Sequence, residues 1–383
     1  MAVRILHAHS TFALGGKEAR AVRLMNAFGD AARHSILSSM PGQLSAREAI
    51  APGIVVDFPD DAPALAGRPG LARLFRLSRY MRGFDLVLTY NWGAFDAVMA
   101  RYLFARSPDF PPLIHHEDGF NEDEAAGLKP IRNLYRRLGL SAAHRLVVPS
   151  ERLEGIARGP WGQGAEQVER IGNGIPLARF RQAADPEAIP GFVRRRGELV
   201  IGTLAGLRAV KNLPRLVRAF AAMKEKAARL IIIGEGPVSE AIVAEARRAG
   251  VADRVLLPGF LADPSRYIGL FDIFALSSDS EQFPISLVEA MAAARPVVAT
   301  DVGDISAMVS ADNRPLIVES HDEAAFTAAL DSLAERADLR RAIGRANREK
   351  AEAEFDEQRM IDRYARLYGE AIGSPRAFLP SPS

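Results

Sequence analysis

The 383-residue chain predicts an α/β protein of two doubly wound domains, each a parallel sheet with helices on both faces. Three observations predict it. Short β-rich apolar runs alternate with longer segments of helical period, the pattern of parallel strands joined by helical crossovers. The length exceeds one ordinary core and suits two α/β domains. A polar, proline-containing stretch within Gly172–Arg196 interrupts the alternation, which begins again at Leu199.

Taken in order, Val3–Ala8, Leu86–Tyr90, Leu113–His115 and Arg145–Pro149 read as strands of a first sheet. Val200–Leu204, Leu230–Ile233, Val255–Leu257, Ile273–Leu276 and Pro296–Thr300 read as strands of a second. Lys17–Phe28, Leu213–Met223, Ser239–Ala249 and Ile285–Ala293 carry helical spacing. The expected organisation is a first domain over 1–178, a linker over 179–198 and a second domain over 199–355. A last helix within 356–373 is expected to cross back to the first domain, with a flexible tail over 374–383. In such folds ligands bind at the carboxyl ends of the strands, which here predicts a cleft between the two domains.

Composition narrows the function classes. Hydrophobic residues make up 48% and charged residues 25%, the balance of a soluble globular chain. The formal charge is only +2, so no global field recruits nucleic acid. The absence of cysteine removes disulfides, thiol catalysis and cysteine-ligated metals. The start lacks the features of a secretory signal, and no apolar run approaches the ~18–20 residues of a membrane span. A cytoplasmic protein is expected.

Five segments carry chemistry. In IGTLAGLRAVKNLPRLVRAF (201–220) a strand ends in a loop bearing Gly206, Arg208 and Lys211, with Asn212 as the expected helix cap. Two cations beside helix N–H groups suit a pyrophosphate. In SSDSEQFPISLVEAMAAARPVVAT (277–300), Glu281 lies in the loop before a helix opened by Pro284, and Glu289 lies within that helix. A loop carboxylate there suits sugar hydroxyls; one further along suits both hydroxyls of a ribose, since the ionised group only accepts. Gly15 and Gly16 open the first helix, with Glu18 in its first turn, and bare backbone lets a phosphate or sugar approach. In PPLIHHEDGFNEDEA (111–125), a strand delivers His115 and His116 to a carboxyl end, where one could hold a hydroxyl or move a proton. Adjacent strand residues face opposite sides, which disfavours joint metal binding. Finally, residues 71–84 and 130–146 are basic and amphipathic. They read as core helices with solvated outer faces, or as a face that rests on anionic lipid.

Gly15–Gly16–x–Glu18, Asn173–Gly174–Ile175, Arg208 with Lys211, Ile233–Gly234–Glu235–Gly236–Pro237, and Glu281-x7-Glu289 occur in a characteristic order. By these motifs the chain resembles the family 4 retaining glycosyltransferases, glycosyl transferases group 1, over nearly its full length. The resemblance implies a GT-B fold, with an acceptor domain first and a nucleotide-sugar domain second. It implies a UDP- or GDP-linked sugar as donor, a glycan or lipid-linked acceptor, no metal and no other cofactor. Arg208 and Lys211 would neutralise the leaving diphosphate, Glu281 would hold the donor sugar and Glu289 the ribose. Gly15, Gly16, Gly206, Gly234, Gly236 and Phe283 would line the donor site, with Phe260 near the base. One histidine of His115 and His116 would contact the transferred sugar. Peripheral contact with the inner face of the cytoplasmic membrane would fit the basic helices. Two departures stand out: Gln282 replaces a usual glycine before Phe283–Pro284, and Val302–Gly303–Asp304–Ile305–Ser306 lacks the usual acid. A nucleotide-sugar 2-epimerase of the same fold and a non-catalytic nucleotide-sugar-binding subunit are the alternatives. A dinucleotide-dependent oxidoreductase is disfavoured, because no Gly-x-Gly-x-x-Gly follows the first strand.

Overall fold

The computed structural model describes residues 2–40, 42–65, 67, 70–104, 110–119, 124 and 127–379. The chain divides into two compact units, one of residues 1–173 with 358–383, the other of residues 174–357.

The first unit is a seven-stranded parallel sheet in the order β3-β2-β1-β4-β5-β6-β7. Its strands are β1 (Val3–His9), β2 (Ala32–Ser38), β3 (Val56–Asp57), β4 (Leu86–Tyr90), β5 (Leu113–His116), β6 (Arg145–Val148) and β7 (Val168–Arg170). Helices α1 (Gly16–Phe28), α2 (Leu71–Met81), α3 (Phe95–Phe104), α4 (Pro130–Leu140) and α5 (Glu151–Arg158) connect them. Strand alternation sorts the core into two layers. Leu6, Ala8 and Val87 pack with α2 and α3 on one face. Ile5, Leu86 and Leu88 pack on the other with α1 and the last helix, which the second unit's count makes α12 (Glu357–Ala371).

The second unit is a six-stranded parallel sheet in the order β10-β9-β8-β11-β12-β13. Its strands are β8 (Val200–Leu204), β9 (Arg229–Ile233), β10 (Val255–Gly259), β11 (Ile273–Leu276), β12 (Val297–Thr300) and β13 (Ile317–Val318). Its helices are α6 (Leu213–Ala222), α7 (Ser239–Arg248), α8 (Ile285–Ala292), α9 (Ile305–Met308), α10 (Glu323–Glu335) and α11 (Ala337–Glu354). Leu213, Leu216, Val217 and Phe220 form the buried stripe of α6, at helical spacing. Both sheets are doubly wound, as the alternation predicts.

Two boundary expectations change, and four strands go beyond those expected. Residues 179–198 are not a free linker: Phe180, Ile189 and Phe192 are buried in the second unit's core, and the division falls at Asn173–Gly174. Burying three large apolar side chains is worth several kcal/mol, which anchors the segment. The end of the chain is also packed through Leu379. Phe378 is buried, its ring 4.7 Å from Phe28, while residues 380–383 lie outside the described residues. Finally, β2, β3, β7 and β13 escape the sequence reading. Three are sheet edges of two or three residues, and β2 carries Arg33, His34 and Ser35 in place of an apolar run.

Candidate functional site

In the second unit, the residues expected to bind a donor gather at the carboxyl ends of β8, β9 and β11. The loop after β8 carries Arg208 and a single 3-10 turn, Ala209–Lys211. Two neighbouring segments hold this loop. Ser277 Oγ donates to the carbonyls of Lys211 and Asn212 at 3.1 and 3.0 Å, and Asp279 N donates to Val210 O at 2.8 Å. On the other side, Leu207 N donates to Glu235 O at 2.8 Å. Gly234 and Gly236 make that approach possible. A Cβ on Gly234 would lie 1.8 Å from Ala205 O, and one on Gly236 would lie 2.4 Å from Leu207 O. Their φ values of +141° and +156° are themselves costly for other residues. Both glycines therefore serve backbone packing beneath the loop.

Lys211 and Glu281, read from the sequence as separate contacts, are partners: Lys211 Nζ lies 2.5 Å from Glu281 Oε1. Ser278 Oγ donates to the same oxygen at 2.7 Å, which leaves Oε2 as a further acceptor. Gly303 fixes the Glu281 loop from behind, where a Cβ would come within 2.3 Å of Glu281 O. Arg208 is exposed, with no ion-pair partner among the described residues. Glu289 is half-buried on α8, close enough that its charge, after burial, helps raise the Tyr267 hydroxyl above its ordinary range. Gly206 and Phe260 are exposed. Phe283 instead packs on Phe355, ring centroids 5.7 Å apart, as a core contact. Asn212 occupies the cap position of α6 in the left-handed region, but its amide donates to Asp279 (3.1 Å to Oδ2) instead of capping.

The first unit treats its expected site residues differently. His115 and His116 are both fully buried, so neither presents an atom to a substrate, and the expected sugar contact is not made available. His115 Nδ1 bonds Thr89 Oγ1 at 2.8 Å, and its ring meets Phe95 edge-on. His116, on the opposite face, bonds the Tyr368 hydroxyl at 2.8 Å and stacks on Tyr90. Burial, then Arg20 and His115, hold the His116 imidazole neutral. Of the segment over residues 111–125, positions 120–123 and 125 lie outside the described residues.

Gly15 and Gly16 are exposed at the mouth of α1, but that mouth holds an anion of its own. The Glu18 carboxylate folds back so that Oε2 lies 2.9 Å from where a Gly15 Cβ would be. It pairs with Lys17, and burial raises its pKa. Behind it Arg20 is buried, bonded to Asp118 (2.8 Å to Oδ2) and Asn173 (3.0 Å).

Two features went unread. The α1/α12 face of the first sheet turns from apolar to polar toward the carboxyl ends: His7, His9, His34, Tyr90 and His116 lie together there. Their period-two spacing along β1, from Ile5 to His7 to His9, was the available signal. Also unread was a cavity at the end of β4, lined among others by Trp92, Asp96 and Tyr135. Among the described residues, no three of His, Asp and Glu are grouped to hold a metal ion, and no helix is long and apolar enough to cross a membrane.

Two doubly wound parallel-sheet units in one chain are the architecture of the GT-B fold. The structure of Anabaena Alr3699/HepE in complex with UDP superposes with a TM-score of 0.78 at 19% identity, covering 96% of this chain and 100% of that one. Two family models match, Glycosyltransferase Family 4 over residues 14–179 and Glycosyl transferases group 1 over 198–336. The chain belongs to the family 4 glycosyltransferases. It is similar to the putative glycosyltransferase EpsD of Bacillus subtilis, 28% identical over 55% of this chain and 57% of the relative. It is also similar to D-inositol 3-phosphate glycosyltransferase of Salinispora tropica, 27% identical over 70% and 61%. The chain thus spans little more than half the length of these curated relatives.

Proposed function

We propose that this chain is a retaining, metal-independent glycosyltransferase that moves a hexosyl unit from a nucleotide diphosphate to a glycan or glycolipid acceptor. One observation carries the reading: exposed Arg208, and Lys211 held 2.5 Å from Glu281, share one rigid strand-end loop system. As the anomeric carbon–phosphate bond breaks, negative charge grows on the departing diphosphate, and fixed cations lower that barrier. Glu281 steers the Lys211 ammonium with Oε1 and offers Oε2 to a donor-sugar hydroxyl. Glu289 accepts from the ribose hydroxyls. The new bond forms on the face the diphosphate leaves, and the acceptor proton passes to that diphosphate, so no side-chain nucleophile is required. Neither His115 nor His116 takes part in this scheme.

UDP bound to HepE supports a uridine donor for this chain. On α2, exposed Leu71 and Phe75 beside Arg76 and Arg79 support peripheral contact with an anionic membrane. Co-sedimentation with anionic but not neutral vesicles would test it.

The test of the donor reading is a thermal-shift titration with UDP, GDP, ADP and their sugar conjugates, in EDTA. Ligand at 100 times its dissociation constant adds about 2.7 kcal/mol. Stabilisation by the uridine series alone is the expected result. Silence from all three series, repeated with magnesium and manganese, overturns the donor site. Release of an epimerised sugar nucleotide without acceptor overturns transfer.

A further inference from the structure

We infer that Asp279 is a positioning residue: with Asn212 and Arg215 it forms a side-chain clasp that holds the Ala209–Lys211 turn and so aims the Lys211 ammonium. The inference rests on the reading of Lys211 as the cation that meets the departing diphosphate. It extends that reading to three side chains outside the cationic pair itself.

The turn is poorly equipped to hold itself. It is one 3-10 turn, closed by Lys211 N to Arg208 O and Asn212 N to Ala209 O, both at 3.0 Å, and such turns have poor hydrogen-bond geometry. Asn212, which ends it, stands in the left-handed region at φ +42° and ψ +47°, a conformation that costs an L-residue energy. Its side chain also forgoes the helix cap that asparagine ordinarily supplies. Instead Nδ2 donates to both oxygens of Asp279, at 3.2 and 3.1 Å.

Asp279 ties the turn to the segment that follows β11. Its backbone N–H donates to Val210 O at 2.8 Å, inside the turn. Its Oδ1 lies 2.8 Å from Arg215 Nη2, and Arg215 Nη1 donates to Ser277 O at 3.0 Å. Arg215 is buried in the first turn of α6, so its planar guanidinium locks that helix to the strand-end segment. The same segment supplies Ser278, which bonds Glu281 and is itself held by Thr300 Oγ1, from β12, at 2.6 Å.

Lys211 is thus aimed from two directions. Glu281 draws the ammonium, and the clasp fixes the backbone from which it extends. The Asp279 side chain is 47% exposed, against 15% for Lys211 and 8% for Glu281. A lone exposed ion pair would be worth little, but this carboxylate joins an amide, a guanidinium and a turn in one network. A cation displaced by even an ångström loses much of its hold on developing charge. The clasp should therefore show in turnover rather than in donor binding.

Two measurements on the full chain test this. Reductive methylation, read lysine by lysine in a mass spectrometer, reports the freedom of Lys211 with no nucleotide present. In Asp279→Ala, Lys211 should methylate about threefold faster or more as the turn opens locally. Lys224, 76% exposed, should keep its rate and serves as the reference. Release of UDP from UDP-sugars then separates kcat from KM: Asp279→Ala should lower kcat about tenfold and leave the donor KM within about twofold. Asn212→Asp alone sets two carboxylates together and should be slower still. Combining Asn212→Asp with Asp279→Asn keeps the hydrogen bond with its donor and acceptor exchanged, and should restore kcat to within about threefold. A group that merely stabilises the fold would lower the melting temperature while the Lys211 rate and kcat stay unchanged. That result overturns the proposal, as does a kcat loss that the exchange leaves unrepaired. The two readings fail separately. An unchanged Lys211 rate with turnover intact ends the clasp alone. Faster Lys211 methylation in a protein that neither binds nor turns over any donor upholds the clasp and ends the transfer reading.

Discussion

In the first unit, the titratable groups at the strand ends are enclosed: His7, His9, His34, His115 and His116 are all buried, and Arg20 is pinned to Asp118 and Asn173. In the second unit, the equivalent ends hold Arg208 in the open and Lys211 against Glu281, at a loop bolted down by backbone contacts. The two sheets share a topology and a habit of placing charge at carboxyl ends. They differ in what covers the ends, since α12 lays Tyr364 and Tyr368 over the polar patch of the first sheet. A polar group at a strand end is thus a candidate site only while it stays open. Once sealed, the same group becomes part of what holds the unit together.

The sharpest test of that difference is Asp118→Ala. Removing the partner of buried Arg20 leaves an uncompensated charge, which should cost about 3–5 kcal/mol of stability, read as a lowered urea midpoint. A loss under 1 kcal/mol would place the pair among the weak surface bridges. Next comes pH. Burial pushes His34 down to about 4, while His7 and His9 are also lowered by burial. A lowered histidine pKa means the unfolded chain binds protons first. Its stabilisation is therefore complete above about pH 6.5 and lost as pH falls toward 4, by roughly 3 kcal/mol for His34 alone. Urea midpoints from pH 7 to 4.5 should fall, and His34→Gln should flatten that slope.

The second unit should respond in function instead. Lys211→Ala should cut turnover at least ~10²-fold, with a smaller stability loss than Asp118→Ala. A near-normal rate would remove Lys211 from the mechanism. Glu289→Ala should raise the donor dissociation constant about tenfold, the scale of one good pair of hydrogen bonds. If it chiefly lowers the melting temperature, Glu289 belongs to the helix rather than to the ligand.

The strands that fill sheet centres were legible because buried parallel strands read as continuous apolar runs. Leu86–Tyr90, Val200–Leu204 and Ile273–Leu276 match to the residue. Edge strands such as Val56–Asp57 and Ile317–Val318 are too short to leave a pattern. The cationic loop was legible through Arg208 and Lys211 because their spacing is local. The Trp92–Asp96–Tyr135 cavity was not, because its walls come from three separate segments.

By itself the sequence determined the fold class, the family and the loops that bear charge, all of which follow from periodicity and short motifs. Only the tertiary structure decided that Lys211 and Glu281, seventy positions apart, are partners. It also decided that Gly234 and Gly236 serve the backbone and that both candidate histidines are closed to substrate. Those outcomes depend on which surfaces meet and which stay wet, and no local spacing encodes that.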